Sequence, residues 1–229
     1  MNIERRSLLK GMALGGLASV AVTGPGLSLA NSVLGPSTGK RLPTLALVSA
    51  AVADSAFVQG INASSAARQV SVQRWEASLA SILALQQRLG SGQPQRIIGL
   101  LDDASAALVL DQARSAGARV HWLGQHHSDA RTSRHQLLGT TAADGCALQL
   151  GLQLNACGAG FSLSEQRMLA QPAFQAGARA RDPRSAEQWA ATLGYSLAEL
   201  ASGRLGQAPL ASPRAVPLSG HFVSFSIEA

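Results

Sequence analysis

Hydrophobic residues between positions 44 and 125 follow two alternating patterns. Short apolar or alternating runs predict strands, and the longer segments between them place apolar side chains at helical spacing. The predicted strands are 44–48, 70–75, 96–101 and 119–123, and the predicted helices are 54–67, 78–89 and 104–115. This β-α-β-α-β-α-β order, with short connections, predicts a mostly parallel sheet with helices packed against it.

The second half of the chain has a weaker pattern. Its apolar positions predict helices at 142–154 and 186–202 and strands at 161–164 and 221–227. The alternating leucines of 142–154 also suit a strand, and the last strand is expected at the sheet edge or beside 161–164. All of these elements together predict one α/β domain over residues 43–229, a single three-layer Rossmann-like domain with a mostly parallel sheet.

Residues 1–30 have the pattern of an export signal. The pair Arg5-Arg6 is followed by a polar residue, two apolar residues and a lysine, and this run resembles the twin-arginine (Tat) motif. The apolar stretch 12–22 is too short to cross a hydrocarbon layer of about 30 Å. The resemblance implies a Tat signal peptide, export of the folded chain by the Tat translocase, and a periplasmic location. Residues 31–42, rich in turn formers, are predicted to be a linker.

Composition limits the classes of function. Hydrophobic residues make up 46% of the chain and charged residues 14%, which is typical of a folded domain with a core. Part of the net charge of +6 lies in the leader, and the remaining arginines are scattered without a basic run that contains aromatics. We therefore expect no nucleic-acid partner. Beyond the leader no stretch approaches 18 continuous apolar residues, so the mature chain is expected to be soluble, without a membrane span.

The strong sequence signatures of catalysis are missing. The chain has no phosphate-binding Gly-x-x-x-x-Gly-Lys motif, no Gly-x-Gly-x-x-Gly after the first strand and no His-Glu-x-x-His, and its one Gly-x-Ser-x-Gly run, residues 35–39, lies in the predicted linker and not at a strand-to-helix elbow. It also has no Cys-x-x-Cys, which argues against a thioredoxin-type site and against covalent haem. The sequence therefore names no cofactor.

The two cysteines, Cys146 and Cys157, are compatible with three different roles. In the oxidising periplasm they suit a disulfide, with the glycines after Cys157 letting the chain fold back. They also suit two separate buried thiols, or a metal or redox role.

Histidines cluster in the middle of the chain, from His121 to His135. Imidazoles are good ligands for zinc and copper, so His126, His127 and His135 are candidate metal ligands. The alternative is a polar loop in which these histidines are incidental.

Several acids and imidazoles follow the predicted strands directly. Ligands of open parallel sheets bind beyond the carboxyl ends of the strands. The candidate ligand-binding residues at this rim are Asp54, Asp102, Asp103, His126 and His127. Asp102 and Asp103 also suit helix caps, which is the alternative to a catalytic or binding role.

Residues 44–140 resemble one lobe of the type I periplasmic-binding-protein fold. The similarity lies in the first strand with its helix, 44–61, and in the later β-α-β unit, 96–123. The resemblance implies a lobe that takes part in ligand binding. We therefore expect an exported accessory or binding protein that holds a small ligand or a periplasmic partner, such as a co-exported redox enzyme. The alternative is a metal-dependent or redox periplasmic enzyme that uses the cluster from His121 to His135.

Overall fold

Over the first half of the described chain, strands and helices alternate in the order that the hydrophobic pattern predicts. The computed structural model describes residues 42–229 except 130, 140–142, 144, 168–173, 201–205 and 214. The predicted signal peptide, with Arg5 and Arg6, lies outside the described residues, as does all of the predicted linker but residue 42.

The described residues form eight strands and five helices longer than a single turn. The strands are β1 (Thr44–Val48), β2 (Val70–Arg74), β3 (Arg96–Leu101), β4 (Arg119–Ser128), β5 (Thr132–Gly139), β6 (Gly160–Arg167), β7 (Phe174–Ala178) and β8 (Gly220–Glu228). The helices are α1 (Ala56–Ala63), α2 (Leu79–Leu89), α3 (Asp103–Ser115), α4 (Cys146–Ala156) and α5 (Gln188–Glu199).

All eight strands belong to one mixed sheet with the order β2-β1-β3-β8-β4-β5-β6-β7. Strands β1 to β4 run in one direction, as the predicted crossovers require, and β7 runs with them. Strands β5, β6 and β8 run the opposite way. The prediction of an α/β, Rossmann-like domain is confirmed.

The sheet separates two hydrophobic cores. On one face α1, α4 and α5 cover side chains such as Ile98 and Leu100 of β3. On the other face α2 and α3 cover the alternate side chains of the same strand, Ile97 and Leu101. Because β3 is buried on both faces, it has the continuous apolar run that predicted it so clearly.

Local capping fixes where the first helices begin. Ser55, Ser78 and Asp102 each accept a backbone N–H from the first turn of α1, α2 and α3, respectively. Ser55, not Asp54, is therefore the cap of α1. Gly117, at φ +76°, follows the end of α3 in the left-handed conformation that glycine adopts easily.

Helices α1 and α5 cross with their backbones in contact. A Cβ atom on Gly60 would lie 2.0 Å from the carbonyl oxygen of Ala191, and one on Gly194 would lie 2.1 Å from that of Phe57. These two glycines permit the close packing, since any side chain at either position would overlap backbone atoms.

Three features of the second half differ from the predictions. Strand β8 lies in the centre of the sheet, between β3 and β4, and not at an edge or beside β6. Strand β4 continues to Ser128, and it pairs with β5, a strand that the sequence pattern did not predict. Strand β7 was not predicted either. Within the described residues no helix is both long and apolar enough to cross a membrane.

Candidate functional site

The carboxyl ends of β3 and β4 meet at one edge of the sheet. Asp102 caps α3 by accepting the Ser105 N–H at 2.9 Å, so the helix-cap interpretation holds for this residue. Asp103 is exposed in the first turn of α3 and lines a cavity together with His127. Asp54 is exposed at the start of α1 and does not line this cavity.

This cavity has a volume of about 450 Å³ and adjoins a second one of about 540 Å³. Arg134 and Gln136 of β5 line both, so the two cavities form one groove. The groove lies across the face of β4 to β7 that is opposite to α4 and α5. Among the described helices none packs on this part of the face, because the core beneath α2 and α3 ends at β4. We call this surface the open face.

Two rows of polar side chains cross the open face at right angles to the strands. Strand register gives their members, since directly paired residues project to the same face. The first row contains His221, His127, Arg134 and Ser162, and the second contains Gln125, Gln136, Ser164 and Gln175. We call them the cationic row and the amide row.

The rings of His127 and His221 lie against each other, with centroids 4.4 Å apart. Both side chains are exposed, and Arg134, also exposed, is the next member of the row. Arg134 forms no salt bridge with any described carboxylate. The row therefore presents a guanidinium and two imidazoles toward the groove.

On the opposite face of the same strands, a buried chain of hydrogen bonds links the other two central histidines. His126 Nδ1 lies 2.8 Å from His135 Nδ1, and His126 Nε2 lies 2.7 Å from Ser224 Oγ. The chain ends at Trp122 Nε1, which donates to Ser224 Oγ, and at Ser133 Oγ, 2.9 Å from His135 Nε2. We call it the histidine chain.

Close packing surrounds the histidine chain. The indole of Trp189 on α5 lies over both imidazoles, with centroids 5.4 Å and 5.3 Å from those of His126 and His135. A Cβ atom on Gly124 would come within 2.7 Å of both Ser224 Oγ and His126 Nε2, so only glycine leaves room for that bond. His126 and His135 are 2% and 1% exposed.

Burial keeps both imidazoles neutral. It lowers the pKa of His135 to about 3, and it lowers the pKa of His126 well below the usual value, with a further contribution from the neighbouring charge of His135. A neutral imidazole has one donor and one acceptor nitrogen, so each ring can satisfy both of its contacts in this chain.

Ser224, His126 and His135 are hydrogen-bonded in the order of a catalytic triad, but they lie in the core of the protein. Ser224, which would be the nucleophile, is completely buried and accepts the Trp122 N–H. A triad also needs its nucleophile within reach of a substrate. The histidine chain instead joins β4, β5 and β8 on the buried face.

The histidines predicted as one cluster occupy three separate places. His126 and His135 lie together beneath Trp189, while His127 projects to the open face. His121 lies at the other end of β4, where its Nε2 is 3.1 Å from Glu228 Oε2. Among the described residues no three His, Cys, Asp or Glu side chains are arranged to hold a metal ion, so the predicted set of His126, His127 and His135 does not converge.

Cys146 and Cys157 are not bonded to each other. They stand at the two ends of α4, and the helical rise of 1.5 Å per residue puts them about 16 Å apart. A disulfide needs Cα atoms within about 7 Å. Cys146 is buried, and Cys157 is half-buried with its thiol 3.2 Å from the Leu154 carbonyl oxygen.

Most residues of the open face were not predicted, among them Arg134, Gln136 and His221. Arg134 and Gln136 lie on β5, the unpredicted strand that follows β4 directly and pairs antiparallel with it, and His221 comes from β8, far along the chain. The alternation of Ser133, His135 and Leu137 with polar residues is the one signal that indicates a strand at β5.

The geometry stands without support from relatives. The chain matched no protein-family model, no curated protein and no solved structure when it was compared with each of the three.

Proposed function

We propose that this chain is an exported periplasmic binding protein, an accessory protein that holds a small polar ligand in the groove of its open face. The observation that carries the proposal is the convergence of Asp103, His127, Arg134, Gln136 and His221 on one cavity at the carboxyl ends of β3 and β4. This is the place where open α/β sheets bind ligands.

The size and lining of the groove suit a ligand site. Its two cavities, about 450 and 540 Å³, fall within the usual range for small-molecule sites, about 300–1,000 Å³. Side chains that point into the groove offer charged, donor and acceptor groups within a short distance of one another. Binding is favoured over catalysis because the one nucleophile–base pair described above, Ser224 and His126, is buried away from the groove.

A solute screen tests the binding function. Mature protein is heated with amino acids, dipeptides, sugars, sugar acids, sugar phosphates, nucleotides and inorganic anions, one at a time. A true ligand at about 100 times its Kd adds about 2.7 kcal/mol to the free energy of unfolding, which raises Tm by roughly 5 °C or more. We expect such a rise for the wild type and a smaller one for Arg134→Gln.

Arg74→Gln is the matched control, because Arg74 is also an exposed strand arginine but lies on β2, outside the groove. It should respond to the ligand as the wild type does. If no solute raises Tm in the wild type, the binding function is wrong. If a solute acts equally on wild type and Arg134→Gln, the site is wrong.

Export is the second part of the proposal, and it depends on Arg5 and Arg6. Replacing both by lysine keeps the charge but removes the guanidinium pair of the Tat motif, so we expect the protein to remain in the cytoplasm with its leader uncleaved. Cell fractionation and the mass of the chain measure this. The same change at Arg68 and Arg74 in the mature part is the control, and it should leave export intact. Processed double-lysine protein in the periplasm would contradict the proposal.

A further inference from the structure

The cationic row is suited to an anionic group. His221 pairs with His127, and His127 pairs with Arg134, on adjacent strands that are about 4.8 Å apart. The Arg134 guanidinium has no carboxylate partner among the described residues. A guanidinium binds a carboxylate or a phosphate through two parallel hydrogen bonds, and the imidazoles beside it add further donors.

The amide row is suited to hydroxyl groups. Gln125 pairs with Gln136, Gln136 lies beside Ser164, and Ser164 pairs with Gln175. Each carboxamide offers two donors and an acceptor, and each hydroxyl of a sugar both donates and accepts. The row is two residues along the strands from the cationic row, about 7 Å away, which is about the width of one sugar ring.

Most apolar side chains of these strands point away from the groove, although Leu123 of β4 and Leu138 of β5 pair on its side, two residues from Gln125 and Gln136. Leu163 of β6 and Phe222 of β8 are buried in the core beneath α4 and α5, on the opposite face. The two rows that line the groove are therefore polar, whereas a peptide side chain or an acyl chain would require an apolar pocket there.

From these two rows we infer that the ligand is a polyhydroxylated anion, a sugar acid or a sugar phosphate. Its anionic group binds at His221, His127 and Arg134, and its hydroxyls bind at Gln125, Gln136, Ser164 and Gln175. The inference rests on the proposed binding function and names the ligand class of that site. Asp103 borders the cationic row, and its carboxylate can accept hydrogen bonds from hydroxyl groups of the ligand. The negative charge of Asp103 disfavours a second anionic group on the ligand at this position.

Titration calorimetry on the mature protein tests this assignment. The ligands are glucuronate, galacturonate and mannuronate, the 6-phosphates of the three parent sugars, the neutral sugars, acetate and inorganic phosphate. We expect at least one sugar acid or sugar phosphate to bind about tenfold or more tightly than both its neutral sugar and the bare anion, since a charged hydrogen bond is worth at least that factor. Whether the carboxylate or the phosphate form binds more tightly identifies the anion.

Two variants separate the rows. Arg134→Gln should weaken binding of the anionic sugar about tenfold or more and leave the neutral sugar unchanged. Gln136→Ala should weaken both, and Arg74→Gln should weaken neither.

Four results overturn the inference. A neutral sugar that binds as tightly as its acid shows that the cationic row is not used, and inorganic phosphate that binds as tightly as a sugar phosphate shows an adventitious ion only. If none of these compounds binds while another solute of the screen stabilises wild type and not Arg134→Gln, the ligand class is wrong and the binding function stands. If no solute binds at all, both are wrong.

Discussion

Replacing Gly60 or Gly194 by alanine is expected to destabilise the domain by about 3 kcal/mol, at the upper end of the cost of adding a methyl group to a packed core. The added Cβ would lie 2.0 or 2.1 Å from a backbone carbonyl oxygen of the facing helix. Since backbone atoms cannot rotate away as a side chain does, α1 and α5 would have to separate. The helix-forming preference of alanine recovers only about 1 kcal/mol.

Gly151→Ala is the matched control because Gly151 also lies inside a helix, α4. A Cβ atom added at Gly151 would lie nearest to the end of the Leu163 side chain, with Cδ2 at 3.3 Å. We expect its stability to remain within about 1 kcal/mol of wild type. Urea denaturation followed by circular dichroism measures all three variants. Wild-type stability in both Gly60→Ala and Gly194→Ala would show that the two helices do not make this backbone contact.

The second large effect is a loss of stability as the pH falls below 6.5. Both histidines of the histidine chain have a pKa in the folded protein that burial holds far below the ordinary 6.5. Below pH 6.5 the unfolded chain takes up protons at these positions and the folded chain does not, so acid favours unfolding. The contribution of the two neutral histidines to the free energy of unfolding is fully present above pH 6.5. As the pH falls this contribution decreases, and for His135 it decreases until the pH reaches about 3.

The expected slope is about 1.4 kcal/mol per pH unit for each histidine that stays neutral, which for His135 amounts to about 2 kcal/mol between pH 6.5 and pH 5, and His126 contributes in the same direction. Most carboxylates titrate below this window, and burial raises the pKa of Glu187, which acts in the opposite direction. Urea denaturation at pH 7, 6 and 5 measures the slope. A double variant, His126→Leu with His135→Leu, removes both partners of the buried bond and should be nearly independent of pH over the same range.

A second measurement does not require the variant to fold. In the wild type, the imidazole proton resonances of His126 and His135 should show no titration between pH 8 and pH 5. A free energy of unfolding that stays constant from pH 7 to pH 5, or titration of either resonance in that range, would contradict neutral burial of the pair.

The first half of the fold could be predicted because its information is local. Strand β3 is a continuous apolar run, and α3 has Asp102 as its cap where the sequence places it. In the second half, inward positions carry His126, His135, Ser224 and Ser226, whose polar side chains hide the alternation of hydrophobic residues. These buried positions are occupied by hydrogen-bonded polar side chains, so they lack the apolar residues from which a strand is predicted.

The candidate site could be predicted only in part for a related reason. Asp103 and His127 follow strands of the parallel half, and the strand-end rule places both at the groove. Arg134 joins them through β5, which pairs with the preceding strand β4 but was not predicted as a strand, and His221 joins them through β8, which lies far along the chain. The rule also selected His126, but alternation along β4 turns its side chain to the opposite face.

The position of β8 has a consequence for the order in which the protein is made and folded. Of the described strands it leaves the ribosome last, yet β3 and β4 pair with it and not with each other. Until β8 arrives, the nascent chain holds two partial sheets whose facing edges are unsatisfied. Completion of the described sheet therefore waits for the insertion of this one segment between β3 and β4.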